Sequence, residues 1–449
     1  MSDERHSLLS CEHCGNVYRW QSLSPREAAS CARCESTLWR YSGLTPANWL
    51  ALALATLITF GVANVFPVAT LSVQGMNSDA TFLDAVVITW RQDHWAVALM
   101  TGTVGFAIPF AQILLLLWVL LPLSRGQLAP GFRGVMRLLG LVKPWSMVPV
   151  FLLGVVVSVV KLAGMASVKP AAGLIAFAFL TVLLTILSRL SPAAVWRMAE
   201  QQGATEVHVP DMSGETVLTG CHVCGQVQAL PDDEDPEATH HCRRCDAVLH
   251  YRKPEHLART WALLLAAAVF YIPANVLPVM NISSLLGDSA HTILGGVIEL
   301  WETGGWDIAL IVFVASVVVP LTKILSLAFL AFTAQQRSAT NLRQRTRLYQ
   351  LVEFIGQWSM LDVFVVILLA ALADFPGLMQ ISAAPGAAAF GVVVVLTMLA
   401  AMSFDMRRAW DCESHSEWAE DHPHFRGGAG AAGEVPASRP ADAASTPSA

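Results

Sequence analysis

Polar and apolar residues follow one another along this chain in long blocks, without the short periods of a soluble fold. Apolar runs lie near 47–68, 95–122, 148–168 and 171–190, and again near 258–279, 306–333, 358–378 and 385–404. Each is about as long as the ~20 residues a helix needs to cross ~30 Å of hydrocarbon. Charges within them are few, so the pattern predicts eight transmembrane helices rather than core helices of a large soluble domain. Composition agrees: 54% of the 449 residues are hydrophobic and 14% charged, where soluble domains carry ~25% charged residues. The first apolar run begins only behind a polar, cysteine-bearing segment, which is not the layout of a cleaved leader, so that segment is expected to be retained.

The blocks repeat. Cys11-x-x-Cys14 and Cys31-x-x-Cys34 return as Cys221-x-x-Cys224 and Cys242-x-x-Cys245, and Ala63 to Val68 (ANVFPV) returns as Ala274 to Val279 (ANVLPV). Trp90, Trp95 and Pro109 return as Trp301, Trp306 and Pro320, and Trp145-Ser146-Met147 as Trp358-Ser359-Met360. A register kept over such a distance marks an internal duplication. The expected fold is an all-α polytopic membrane protein, a tandem repeat of two four-helix units, each preceded by a small β-containing ribbon. The expected boundaries are a ribbon over 1–45, a helical unit over 46–200, a second ribbon over 201–256, a second helical unit over 257–412, and a largely disordered tail over 413–449.

Loop charge orients the units, because basic residues stay on the cytoplasmic side. The second loop of the first copy carries Arg125, Arg133, Arg137 and Lys143; its counterpart carries Arg337, Arg343, Arg345 and Arg347 against Glu353. The first loops are acidic, with Asp79, Asp84 and Asp93 in one and Asp288, Glu299 and Glu302 in the other. Ribbons and both termini are therefore expected in the cytoplasm, with the two copies oriented alike as a parallel repeat. Each acidic loop ends in a helical pattern, Phe82, Ala85, Val86, Thr89 and Trp90, then Ile293, Val297, Leu300 and Trp301. These predict short amphipathic helices on the periplasmic face. A net charge of −6 without basic clusters leaves no footprint for nucleic acid.

Eight of nine cysteines form two sets of paired Cys-x-x-Cys, the spacing of a four-cysteine zinc site: Cys11, Cys14, Cys31 and Cys34, then Cys221, Cys224, Cys242 and Cys245. Four thiolates saturate a tetrahedron, so zinc there is structural; a rubredoxin-like iron site is the alternative. Gly15 and Gly225 supply the turn after each first pair, and Cys412 is expected to be a free thiol.

Ionisable residues inside spans are costly and mark function. Lys323 and Ser316 lie seven apart on the sixth run, Ser359 and Asp362 three apart on the seventh, and Thr397 on the eighth. Brought together, Lys323 and Asp362 would form an ion pair able to carry protons, or a static bridge between helices. The first copy has Gln112 and Pro149 at these positions, and holds Lys161 instead, aligned with Asp374. No Gly-x-x-x-x-Gly-Lys-Ser/Thr phosphate loop occurs, which argues against ATP hydrolysis by this chain. His94 and His291 fall in the acidic loops, so no intramembrane histidine pair is available for haem in a redox protein.

With the paired ribbons, the Ala-Asn-Val-x-Pro-Val segments, and Trp-Ser-Met-x-x-Val-Phe at Trp145 to Phe151 and Trp358 to Phe364, the chain resembles the paraquat-inducible protein A family (PqiA and LetA proteins) over about residues 10 to 412. That resemblance implies a non-enzymatic inner-membrane subunit. Such a subunit works with a periplasmic MCE-domain partner to move phospholipid or another lipid between the two membranes of a Gram-negative envelope. It departs from the family's common residues at Pro149 and Asp374. The competing expectations are a membrane redox protein with iron in the ribbons and a passive anchor for the partner.

Overall fold

The computed structural model describes residues 8–20, 23–25, 27–73, 76–146, 148–163, 167–206, 216–231, 240–284, 287–302, 304–338, 340–356, 360–372, 379–411 and 437–438. Two ribbons and two helical units follow one another. The first ribbon pairs β1 (Leu8–Ser10) with β2 (Val17–Arg19) and β3 (Ala28–Ser30) with β4 (Thr37–Arg40). The first unit runs α1 (Pro46–Val65), β5 (Ala69–Val73), β6 (Met76–Ala80), α2 (Phe82–Arg91), α3 (Trp95–Gly102), a π-helical segment Thr103–Ala107, α4 (Ile108–Leu123), α5 (Phe132–Val142), α6 (Val148–Ala163), β7 (Ser167–Pro170), α7 (Ala172–Leu187) and α8 (Pro192–Gln201). The second ribbon pairs β8 (Thr216–Gly220) with β9 (Val227–Pro231) and β10 (His240–His241) with β11 (Val248–Leu249). The second unit runs α9 (His256–Val276), β12 (Met280–Ser284), β13 (Gly287–His291), α10 (Ile293–Glu302), α11 (Trp306–Phe313), a π-helical segment Val314–Val318, α12 (Val319–Gln335), α13 (Leu342–Gly356), α14 (Leu361–Leu372), β14 (Met379–Ala383), α15 (Pro385–Ser403) and α16 (Arg407–Trp410). From the tail, β15 (Ala437–Ser438) adds to β3; the rest of it, with Cys412, lies outside the described residues.

Every predicted apolar run holds a helix, and the duplication is visible element by element. Among the described residues six helices are long and apolar enough to cross a membrane: Pro46–Val65, Trp95–Leu123, Phe132–Ser158, His256–Val276, Ala309–Gln335 and Pro385–Trp410. A seventh is reached if α7 counts together with α8, to which it is bent by 60°. The apolar core of α14, Val363–Leu372, is shorter; at 1.5 Å per residue the 12 residues of α14 span about 18 Å. The chain is thus a multi-pass membrane protein with six to seven candidate spans.

The predicted surface helices exist. α2 starts where Thr81 and Asp84 form a capping box, which satisfies two of its free N–H groups reciprocally. Trp90, Trp95, Trp301 and Trp306 are exposed at that end of the helices, as expected of an aromatic belt in the headgroup layer. The sheets beside them are absent from the sequence-based expectation. β5 pairs with both β6 and β7, and β12 with both β13 and β14, Leu71 opposing Ser78 and Val168, Ile282 opposing Ser289 and Ile381. Each sheet ties the segment after the first helix of its unit to the segment before the fourth.

That tie demands a close approach. Gly386 donates its backbone N–H to Pro278 O at 2.9 Å, and a Cβ on it would lie 2.5 Å from that same oxygen. Gly173 stands in the same relation to Pro67. Backbone cannot yield as a side chain does, so Gly386→Ala is expected to destabilise the protein by about 1–3 kcal/mol or more, read as a lowered midpoint of thermal unfolding in detergent. An unchanged midpoint would contradict the packing.

The units share one apolar core. α14 is buried from Val363 to Leu372 and packs on α2, α3 and α6 of the other unit. There Phe151 meets Phe82 at 4.6 Å, Phe177 at 4.7 Å and Phe364 at 5.5 Å between ring centroids. Such aromatic pairs each contribute about 0.5–1.5 kcal/mol beyond the area they bury.

The ribbons are exchanged between the units. The first ribbon packs on Leu330, Ala331, Leu342, Phe404 and Trp410 of the second unit. The second ribbon packs on Phe132, Met136, Leu139 and Trp196 of the first. Equivalent contacts hold both. Arg33 lies 5.1 Å over the Trp410 ring and Arg244 lies 4.4 Å over that of Trp196. Glu35 pairs with Arg343 and Arg347, and Asp246 with Arg137. The ribbons also abut each other at Ser10 and Gly220, the residues that precede the first cysteine of each set.

Candidate functional site

All eight predicted ligands are brought together as two buried clusters, Cys11, Cys14, Cys31 and Cys34, then Cys221, Cys224, Cys242 and Cys245, with the sulfurs of each within 4.8 Å of one another. Cys11 and Cys34 sulfurs are 3.5 Å apart, as are those of Cys14 and Cys31. A tetrahedron with metal–sulfur bonds of ~2.3 Å has sulfur edges of about 3.8 Å, so the donor set fits a metal such as zinc. Each pair of cysteines opens a tight loop in which the first cysteine carbonyl accepts from the residue four on, as in Gly15 N to Cys11 O and Glu35 N to Cys31 O. The residue closing the loop has positive φ, 78° at Gly15 and 71° at Gly225, but also 64° at Glu35 and 58° at Asp246. The sequence pointed to the glycines; Glu35 and Asp246 adopt the same turn without one.

Hydrogen bonds from outside the clusters steady the sulfurs, as is usual around protein metal sites. Tyr18 Oη accepts from Asn16 Nδ2 at 2.9 Å and from Ala32 N at 3.1 Å, which leaves its own proton for Cys31 Sγ at 3.1 Å. In the second ribbon Gln228, at the position of Tyr18, donates Nε2 to Cys242 Sγ at 2.9 Å. The thiols of Cys31 and Cys242 are held far below the ordinary thiol range, chiefly by hydrogen bonding from Cys11 and Cys221. Those of Cys14 and Cys224 are pushed up by the same neighbours. Each cluster thus sets two cysteines toward thiolate, the form that binds metal, beside two whose protons are held more tightly.

Inside the helical core, Lys323 of α12 is 1% exposed and donates Nζ to Thr397 Oγ1 of α15 at 2.9 Å. Thr397 passes its own proton to Val394 O at 3.0 Å. Gly356, at the end of α13, leaves room for the amine: a Cβ there would stand 3.5 Å from Nζ. Ser316 is fully buried in the π-helical segment and donates to Val312 O at 2.6 Å. Tyr271 of α9 donates to Val317 O, in the same segment, at 3.3 Å. Single π turns recur at functional sites because they re-aim side chains and free carbonyls. Neither the π turn nor Tyr271 was legible in the sequence.

Of the remaining candidates, Asp362 lies on α14, which packs on the π-helical segment and on α15, but its side chain is outside the described residues. Ser359 is outside them altogether, and so is the side chain of Lys161 on α6. The first copy has no counterpart of the Lys323–Thr397 bond. Buried Gln112 stands for Lys323, with Oε1 unpartnered among the described residues, and Leu184 stands for Thr397.

The profile of the paraquat-inducible protein A family matches residues 47–200 and 257–413, the two helical units. The chain belongs to this family. Within it, the intermembrane transport protein PqiA of Escherichia coli (strain K12) is 33% identical over 433 residues, 94% of this chain and 100% of the relative. The lipophilic envelope-spanning tunnel protein A of the same strain is 29% identical over 409 residues, 91% of this chain and 92% of the relative. A probable intermembrane transport protein of Haemophilus influenzae is 28% identical over 410 residues, 90% of this chain and 95% of the relative. No solved structure matches the chain. Two of these relatives are named as intermembrane transport proteins and one as an envelope-spanning tunnel protein, and the family profile covers the helical units while leaving both cysteine clusters outside its bounds.

Proposed function

We propose that the chain is the inner-membrane subunit of an MCE-type lipid transport system, moving phospholipid or another lipid between inner and outer membranes with a periplasmic MCE-domain partner. In this reading α7, bent to α8, and α14 complete eight spans, the ribbons and both termini are cytoplasmic, and each ribbon holds one structural zinc. Lys323 is the residue on which transport depends. What supports this is an amine deep in an apolar helical core, held by Thr397, in the half of the repeat whose α14 carries Asp362. An ionisable group kept at such a depth is expensive and is retained where protons or substrates move. Lys323 and Asp362 exchanging a proton as the helices shift would couple lipid movement to a proton gradient. The transport names of its relatives agree with a carrier and give no support to an enzyme.

The test is complementation of an envelope-lipid transport defect by Lys323→Ala and Asp362→Asn, with membrane level and partner capture measured alongside. Transport reduced at least tenfold with assembly intact is the expected result. Full transport by both variants would sink the ionisable-pair mechanism and leave a passive conduit or an anchor.

A further inference from the structure

Comparison of the two ribbon-docking sites shows one closed and one open. Where the first ribbon meets the second unit, the tryptophan and arginine donors at the seam are paired. Trp410 Nε1 donates to Thr346 Oγ1 at 3.1 Å, Arg33 Nη2 to Trp410 O at 3.0 Å, and Arg343 to both Arg33 O at 3.1 Å and Glu35 at 3.3 Å. At the other site, Met136 replaces Thr346, and the indole N–H of Trp196 has no partner among the described residues although that side chain is 3% exposed. Arg133, at the position of Arg343, makes no hydrogen bond or ion pair among them. Arg244 stacks on Trp196 and reaches Glu200 at 2.9 Å, yet its Nε is unpartnered. Gln226 Oε1, on a side chain 8% exposed, and Thr205 Oγ1 are unpartnered too.

These groups line one cavity of about 600 Å³ between the second ribbon, α5 and α8, within the ~300–1,000 Å³ range of small-molecule sites. The N-terminus of α5 opens into it from Gly131 to Gly134 with no side chain capping it. Uncapped N–H groups and the helix dipole favour an anion there. The guanidinium of Arg133 adds a planar fork suited to phosphate, and the buried indole N–H adds a further donor. Leaving the indole N–H buried and unpaired is costly, whereas Trp410 and Arg343, the twins of Trp196 and Arg133, are paired internally. Gln226 Oε1 and Thr205 Oγ1 add acceptors that match a hydroxyl or ammonium beside the anionic group. Glu206 stands at the rim and disfavours a bare polyanion.

We propose that this cavity binds a phosphate ester carrying a hydroxyl or ammonium group, as a soluble metabolite or as a phospholipid headgroup, and that the corresponding site on the second unit does not. The full-length protein, purified with its metal, is tested in two arms. Glycerol phosphate is titrated into the detergent-solubilised protein by calorimetry. Phosphatidylcholine nanodiscs with and without phosphatidylethanolamine or phosphatidylglycerol are compared by native mass spectrometry for retained lipid. Saturable binding is expected in at least one arm, the first marking a soluble ester and the second alone a headgroup. Arg133→Gln and Trp196→Phe, which keeps an aromatic face under Arg244 and removes the N–H, are each expected to weaken it at least tenfold, and Arg343→Gln to leave it unchanged. Arg133 is exposed, so its variant is expected to fold, with metal content as the check. Absence of binding in both arms overturns the proposal. So does binding that survives both variants, or that falls equally with Arg343→Gln.

Discussion

Cys242→Ser is expected to halve the metal bound per chain, from two ions to one, and to loosen α5 and α8 of the first helical unit while the second stays intact. The loss is large because a structural zinc site contributes ~10–16 kcal/mol in isolated finger peptides, and Cys242 also accepts the bond from Gln228. The location follows from the exchange of ribbons. Arg244 and Asp246, flanking Cys245, are what grip Glu200, Trp196 and Arg137. Elemental analysis counts and identifies the metal, and hydrogen exchange locates the loosened helices. Exposure confined to the second unit would contradict the exchanged docking. Visible absorbance with iron in place of zinc would replace the structural-zinc reading with an electron carrier.

Thr397→Val is expected to destabilise the protein by about 1–3 kcal/mol, the cost of stripping a buried donor of its partner. Lys323→Met keeps most of the side-chain volume and removes the charge, so its stability is expected to be unchanged or raised, since replacing a buried charged group by a well-packed apolar one is often neutral or stabilising. The double variant is then more stable than Thr397→Val alone, and denaturation in detergent measures the non-additivity. Independence of the two substitutions would mean that the amine is held by another group. The pair separates stability from transport: Lys323→Met is predicted to fold at least as well as the parent and to transport poorly.

Much of this was legible without coordinates. Each of the eight apolar runs holds helix, and six to seven candidate spans qualify among the described residues, because burial in hydrocarbon requires continuous apolar length, a signal carried by local sequence alone. The cysteine sets were legible because the spacing of a metal knuckle is local, and the surface helices because Phe82 to Trp90 repeats at helical period. The extra strands β5, β7, β12 and β14 were not, since segments of four or five residues such as Ser-Val-Lys-Pro at 167–170 show no sustained alternation and owe their conformation to a partner distant in the chain. The span count also shifted: α14 is too short to qualify by length, though it is apolar throughout.

By itself, then, the sequence determined the duplication, the membrane character, the two four-cysteine sets and the presence of Lys323, Ser316 and Thr397 on apolar helices, each a matter of residues close together in the chain. Tertiary structure alone decided that Lys323 meets Thr397 across two helices, that a π turn displays Ser316 and is met by Tyr271, and that α14 packs into the opposite unit. It also decided that each ribbon docks on the unit it does not precede. These outcomes depend on which apolar and charged faces of well-separated segments fit each other best. Two units of one fold offer related docking faces, so the pattern of either unit leaves the choice of partner open, and only the packing of the whole chain makes it.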